Sequence, residues 1–173
     1  MTNNIHIALN EQFELPEIQE SNREEWVEYG EDNNYYQWLI DRYVNSPTNN
    51  AVINNICKLI YGKGLSSLDA SKKPSEYAQM VTLFRPECIK QVIGDLKMLG
   101  QCAVQVIYTK DRKKIAQVHH VPVQLLRAEK CNEDGKIEGY YYCDNWQDTK
   151  KFKPKRIPAF GCSNEAIEIY FIK

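Results

Sequence analysis

The chain has 173 residues, 43% hydrophobic and 26% charged, which suits one globular domain with a sizeable core. Its 22 basic and 23 acidic residues leave a net charge of −1, which argues against the strongly basic surface of a dedicated DNA-binding module. Six cysteines stand at 57, 88, 102, 131, 143 and 162 with no Cys-x-x-Cys pair, which excludes zinc-ribbon and thioredoxin-type readings.

The elements are predicted as follows, in chain order. Residues 1–22 are polar and weakly periodic and read as an extended or poorly ordered arm, with order beginning around Arg23–Val27. Residues 33–45 read as a helix capped by Asn33 or Asn34, with Tyr35, Trp38, Leu39 and Tyr43 on one face. Ser46-Pro47-Thr48 is the strongest local signal. The serine suits an N-cap and the proline the first helical position, so a helix follows from 47 to 61 and stops at Gly62 and Gly64. A third helix runs near Pro74–Phe84. A fourth opens at Pro86, carries Ile89, Val92, Ile93, Leu96 and Leu99 on its apolar face, and closes at Gly100. Gly94 inside it costs about 1 kcal/mol against alanine, and close packing is its simplest explanation.

After Gly100 the period becomes two. Residues 102–108 and 115–121 read as a hairpin through the polar turn 110–113, and Pro122 ends its second strand. Asn132–Gly135 marks a turn, residues 137–143 another strand, Pro154 and Pro158 punctuate the next segment, and 166–172 is a last strand-like run. Helices first and strands after is the order of an α+β fold. The division expected is an arm over 1–22, a helical part over 23–100 and an antiparallel β-rich part over 101–173.

Chemistry-bearing patterns are few. The chain has no phosphate loop of the ATPase kind and no Gly-x-Ser-x-Gly elbow; Tyr61-Gly62-Lys63-Gly64 reads as a helix stop. His119 and His120 are neighbours on a strand and point to opposite faces, so they do not share a metal. The acidic run Glu24, Glu25, Glu28, Glu31 and Asp32 lacks a calcium-loop pattern and reads as a solvated helix face. No catalytic residue, metal ligand or cofactor is therefore named. The opening MTNNIHIALNEQFELPE lacks the form of a signal peptide, and the cysteines read as reduced small hydrophobes of a cytosolic protein. No apolar run approaches the ~18 residues of a membrane span.

Two surfaces are candidates for binding. Trp26, Tyr35, Tyr36 and Trp38 fall in an aromatic-rich stretch and are candidates for a protein interface, where large, rigid, amphipathic side chains are enriched. Lys150, Lys151, Lys153, Lys155 and Arg156, with Phe152 among them, form a candidate patch for nucleic acid or an acidic partner, the alternative being plain solvated surface.

The run Tyr29-Gly30-Glu31-Asp32-Asn33-Asn34-Tyr35-Tyr36-Gln37-Trp38-Leu39 resembles a signature of portal proteins from tailed phages and prophages, most of all those of Bacteroides-type hosts. Further landmarks of that resemblance follow in order: Asn45-Ser46-Pro47-Thr48, Tyr61-Gly62-Lys63-Gly64-Leu65, Gly100 with Ala103 and Val106, His120-Val121-Pro122 through Arg127, Tyr140–Trp146 and Ile157-Pro158-Ala159-Phe160. Tyr36 departs from the proline of many relatives. The resemblance covers about residues 24–162. It implies a structural virion protein without enzymatic activity: the wing region of a longer chain whose stem, clip and crown lie beyond it. Implied with it are a dodecameric ring at one capsid vertex, used for DNA packaging, ejection and head–tail joining, and assembly in the cytoplasm of the infected bacterium. The implied partners are other portal subunits, the major capsid protein, the terminase and the head–tail adaptor, with viral DNA passing through the channel; no membrane is involved.

Overall fold

Backbone donors that a helix leaves unpaired at its start can be met by a cap or be missing, and the helices after residue 45 use these devices. A computed structural model describes residues 17–21, 23–30 and 33–172. Helix α1 (Tyr35–Asn45) is followed by α2 (Pro47–Tyr61), where Ser46 Oγ accepts the Asn49 N–H at 3.3 Å and Pro47 begins the helix. Helices α3 (Pro74–Leu83) and α4 (Pro86–Leu99) also begin with proline. α4 ends at Gly100, in the left-handed conformation (φ 74°), whose N–H donates to the Leu96 carbonyl at 3.1 Å.

Strands β1 (Ile18–Glu20) and β2 (Val27–Tyr29) pair antiparallel, with Ile18 opposite Tyr29, ahead of the helices. Of the arm expected over residues 1–22 to be extended or poorly ordered, the part from Ile18 is an extended strand held by pairing; residues 1–16 and 22 lie outside the described residues. Strand β3 (Cys102–Tyr108) is central in a sheet of order β4-β3-β8, between β4 (Ile115–Val121) and β8 (Ile167–Ile172), all antiparallel. A 3-10 turn (Val123–Leu125) then leads to β5 (Leu126–Ala128), which begins a second antiparallel sheet, β5-β6-β7, with β6 (Gly139–Tyr142) and β7 (Lys155–Pro158). A bridge from Ala159 to Ile169 ties the two sheets, and a bridge from Trp26 to Glu129 ties the first hairpin to β5. The class is α+β, as the element order indicated.

One core joins α1 and α4 to both sheets: Tyr36, Leu99, Ala103, Val121, Leu126 and Ile169 are among its buried members. Two helix faces differ from their predicted placement. On α1, Tyr36 is buried (3% exposed), whereas Trp38, placed on the inner face by spacing, is 37% exposed. On α4 the inner side is Cys88, Asp95 and Leu99, and Leu96 stands 36% exposed. The rotation brings Asp95 to the end of β4. There its Oδ2 lies 2.8 Å from His120 Nε2 and accepts the Val123 N–H at 3.2 Å. A buried carboxylate needs such partners, and the pattern of apolar residues carries no sign of them.

The cysteines are all free. Cys88, Cys102 and Cys143 are buried and Cys57 is half-buried, as small hydrophobes would be, but Cys131 and Cys162 are exposed. No helix among the described residues is long and apolar enough to cross a membrane.

Candidate functional site

The aromatic candidates separate into two kinds. Trp26 is 9% exposed and packs against the rings of Tyr141 and Trp146, each centroid 5.5 Å away. Tyr36 donates its hydroxyl proton to Gln101 Oε1 at 2.6 Å, and burial raises its pKa above the ordinary phenol range. Both are core residues of this chain, which corrects their assignment to a surface. Tyr35 and Trp38 do reach the surface. Their rings stack at 6.2 Å and 14°, and the Arg42 guanidinium lies 4.9 Å from the Trp38 centroid. Tyr35, Trp38 and Arg42 thus form a ladder along the outer side of α1, at helical spacings of three and four.

The basic segment also divides. Lys150, Lys151, Lys153 and Lys155 are exposed, and the Lys151 ammonium lies 5.3 Å from the Phe152 ring. Arg156 does not join them: its Nε and Nη2 donate to the two carboxylate oxygens of Glu129 at 2.7 and 2.8 Å, a fork that closes β7 onto the end of β5. Four exposed lysines remain, one of them against the Phe152 ring. Of the acidic run, Glu28 lies in β2, a strand and not the expected helix face, and Glu25 accepts the Tyr141 hydroxyl; Glu31 and Asp32 lie outside the described residues. His119 and His120 part as their strand requires, His119 exposed beside Gln117 and His120 turned inward to Asp95. Among the described residues no cluster of three His, Cys, Asp or Glu side chains could hold a metal ion.

The most unusual polar centre was not found from sequence. Arg127, at the middle of β5, is 3% exposed. Its Nε donates to Asn33 Oδ1, its Nη2 to the Asn33 carbonyl at 2.8 Å, and its Nη1 to the carbonyls of Gln124 and Leu126 at 3.0 and 2.8 Å. The rings of Trp146 and Tyr36 lie 4.8 and 5.2 Å from its Cζ. Burial lowers its pKa to about 10. Asn33 serves this centre at a cost in backbone freedom, since it sits at φ 54°, a region open to asparagine more than to most residues. Its Oδ1 also accepts the Tyr29 N–H, so it caps no helix; Asn34, at the start of α1, makes no side-chain cap either. The signal that could have marked Arg127 was its place in the run from His120: a lone arginine among Leu125, Leu126 and Ala128 in a strand.

The second polar centre is Glu168 on β8, fully buried. It accepts from Arg112 Nη2 at 2.7 Å, the Tyr108 hydroxyl at 3.2 Å and the Gly161 N–H at 3.0 Å. Burial pushes its pKa up, but the Gly161 N–H, the Arg112 guanidinium and the Tyr108 hydroxyl outweigh it, and the net shift is downward.

The outer face of α2 is apolar and open. None of its fifteen residues is buried, and Val52, Ile56, Leu59 and Ile60 stand 51, 38, 81 and 49% exposed. Their spacing of four, three and one puts them on one stripe. No family model matches the chain, and no curated protein matches it.

Proposed function

We propose that this chain is the wing region of a phage-portal-type subunit, a structural virion protein, and that the outer face of α2 is one side of its subunit contact. The observation that carries this reading is the apolar stripe of α2. Four large aliphatic side chains face outward from a helix whose single charged residue is Lys58. Isolated exposed hydrophobics are ordinary, whereas a contiguous stripe with little charge has the make-up of an interface core. A closed ring is built from heterologous contacts, so the stripe of one subunit meets a different face of its neighbour. The Tyr35–Trp38–Arg42 ladder on α1 supplies residue types that dominate contact energies, already held in place before binding. The ordered landmarks from Tyr29 to Phe160 support the same class. Major capsid protein, terminase, head–tail adaptor and channel DNA are the partners this reading expects.

Cryo-electron microscopy of the particle that contains the protein tests the proposal. The expected result is a closed ring at one vertex with α2 at every subunit boundary, disrupted by Leu59→Asp together with Ile56→Asp. Copies distributed over the shell, or α2 facing solvent in every subunit, would overturn it.

The four exposed lysines of residues 150–155, with Lys151 against the Phe152 ring, favour one second reading, a site for single-stranded nucleic acid. Four phosphate contacts give a slope of log affinity against log salt of roughly −3, which flattens as each lysine is neutralised. Binding insensitive to salt, or absent at low salt, removes that reading.

A further inference from the structure

We propose that the recess beside Arg127 binds a carboxylate group. The inference does not rest on the ring reading. A guanidinium carries five N–H donors. Four of those on Arg127 are taken by neutral acceptors, and the second Nη2–H has none among the described residues. No described carboxylate forms an ion pair with Arg127. Trp146, whose ring lies against Arg127, has a buried indole N–H with no hydrogen-bond acceptor among the described residues. Among the described residues this buried positive charge therefore keeps a donor without an acceptor and has no counter-ion, an arrangement that costs free energy until an anion is present.

The space to receive one is there. Arg127 and Trp146 line a recess of about 170 Å³, bounded by Asn34 and Gln37 at the start of α1 and by Asp144 and Gln147 in the loop after β6. That is room for a group of a few non-hydrogen atoms. A carboxylate offers acceptor oxygens and no donor, one of which can take the remaining Arg127 Nη2–H, and it carries the opposite charge. Asp144 is the one described carboxylate on the rim; it is exposed and accepts the Tyr142 hydroxyl at 2.8 Å. Its charge selects a monoanion over a dianion such as phosphate. Glu28, on β2, adds a weaker negative field at Arg127.

The test uses the whole chain, labelled with nitrogen-15, and acetate exchanged for chloride at constant ionic strength. The Trp146 indole signal, assigned through Trp38→Phe and Trp26→Phe, is expected to shift and saturate with a Kd of roughly 1 mM. Two rim substitutions leave the core untouched and move the affinity in opposite directions. Gln37→Glu weakens acetate binding roughly fivefold and Asp144→Asn strengthens it roughly fivefold, the effect of one unit charge nearby in a wet site. Phosphate binds more weakly than acetate. Saturation independent of protein concentration assigns the site to a free small carboxylate. An indole shift that grows with protein concentration and is reversed by acetate assigns it to an acidic side chain of a second copy. A shift that never saturates, or an affinity unchanged in both rim variants, overturns the proposal.

Discussion

The two sheets and α2 treat their side chains in opposite ways. In the sheets two charged groups are closed in: Glu168 is fully buried with three partners, and Arg127 is held by four neutral acceptors. Along α2 no side chain is buried, and the most exposed of its large residues, Leu59, is a leucine. Buried positions are found in the strands of both sheets and nowhere along α2, where another molecule is expected. The same type of residue should therefore have opposite consequences in the two regions. Leu126→Ala, at 1% exposure, is expected to cost about 2–5 kcal/mol, because it removes transfer free energy and leaves a cavity. Leu59→Ala is expected to stay within about 0.5 kcal/mol of the parent. Urea unfolding of both variants checks this. Equal losses would mean that α2 is as integral as the sheets and that its stripe is not waiting for a partner.

Glu168→Gln sharpens the comparison within the sheet region. It leaves the Arg112 guanidinium without its carboxylate and is expected to cost roughly 1–3 kcal/mol. The pH dependence follows from the downward shift of Glu168. A carboxyl whose folded pKa lies below its unfolded value of about 4.3 contributes stability above that value and loses it as pH falls through the folded pKa. Thermal unfolding of the parent should therefore drop across that acid range. Glu168→Gln should start lower at neutral pH and show a smaller drop. Parallel curves would show that Glu168 does not titrate as its partners require.

These contrasts also show what the sequence made legible. The helices were readable because their ends are local chemistry: Ser46 before Pro47, Pro86 at the start and Gly100 at the end of α4 need no knowledge of the rest of the chain. Strand β3 was readable from its period of two, and β4 from the polar turn that joins it to β3 and the proline that ends it. β1 was not, since three exposed residues carry no period and are held by pairing with β2. Helix faces were read less well, because spacing counts apolar residues and gives no weight to a buried Asp95 that bonds two other elements. Nor could spacing separate Trp26 and Tyr36, which are core, from Tyr35 and Trp38, which reach the surface. The Arg127 centre was hidden for the same reason: its partners Asn33 and Tyr36 on one side and Trp146 on the other come from two stretches distant from it in sequence.

A smaller effect probes the junction of α1 and α2. Ser46→Ala removes the acceptor of the Asn49 N–H and should cost about 1 kcal/mol. Hydrogen exchange of the first α2 amides should speed up while the β3 amides are unchanged. Protection lost equally in β3 would join the two regions into one cooperative unit, against the contrast drawn here.

The smallest expected effect runs in the stabilising direction. Gly94 lies in the body of α4, where its simplest explanation was close packing. A Cβ built there meets nothing within 4 Å, so nothing packs against it. Beside it, between α2, α4 and β4, lies a cavity of about 180 Å³ bordered by Cys57, Met98 and His120. The glycine therefore costs the helix its propensity without a close contact in return. Gly94→Ala should stabilise the chain by about 0.5–1 kcal/mol, as helix propensity and the reduced freedom of the unfolded chain both predict. Thermal unfolding should rise by a few degrees, with the His120–Asp95 contact intact. A loss of stability instead would mean that α2 settles closer to α4 than 4 Å contacts indicate, and that the helical region is packed more like the sheets than its exposed residues suggest.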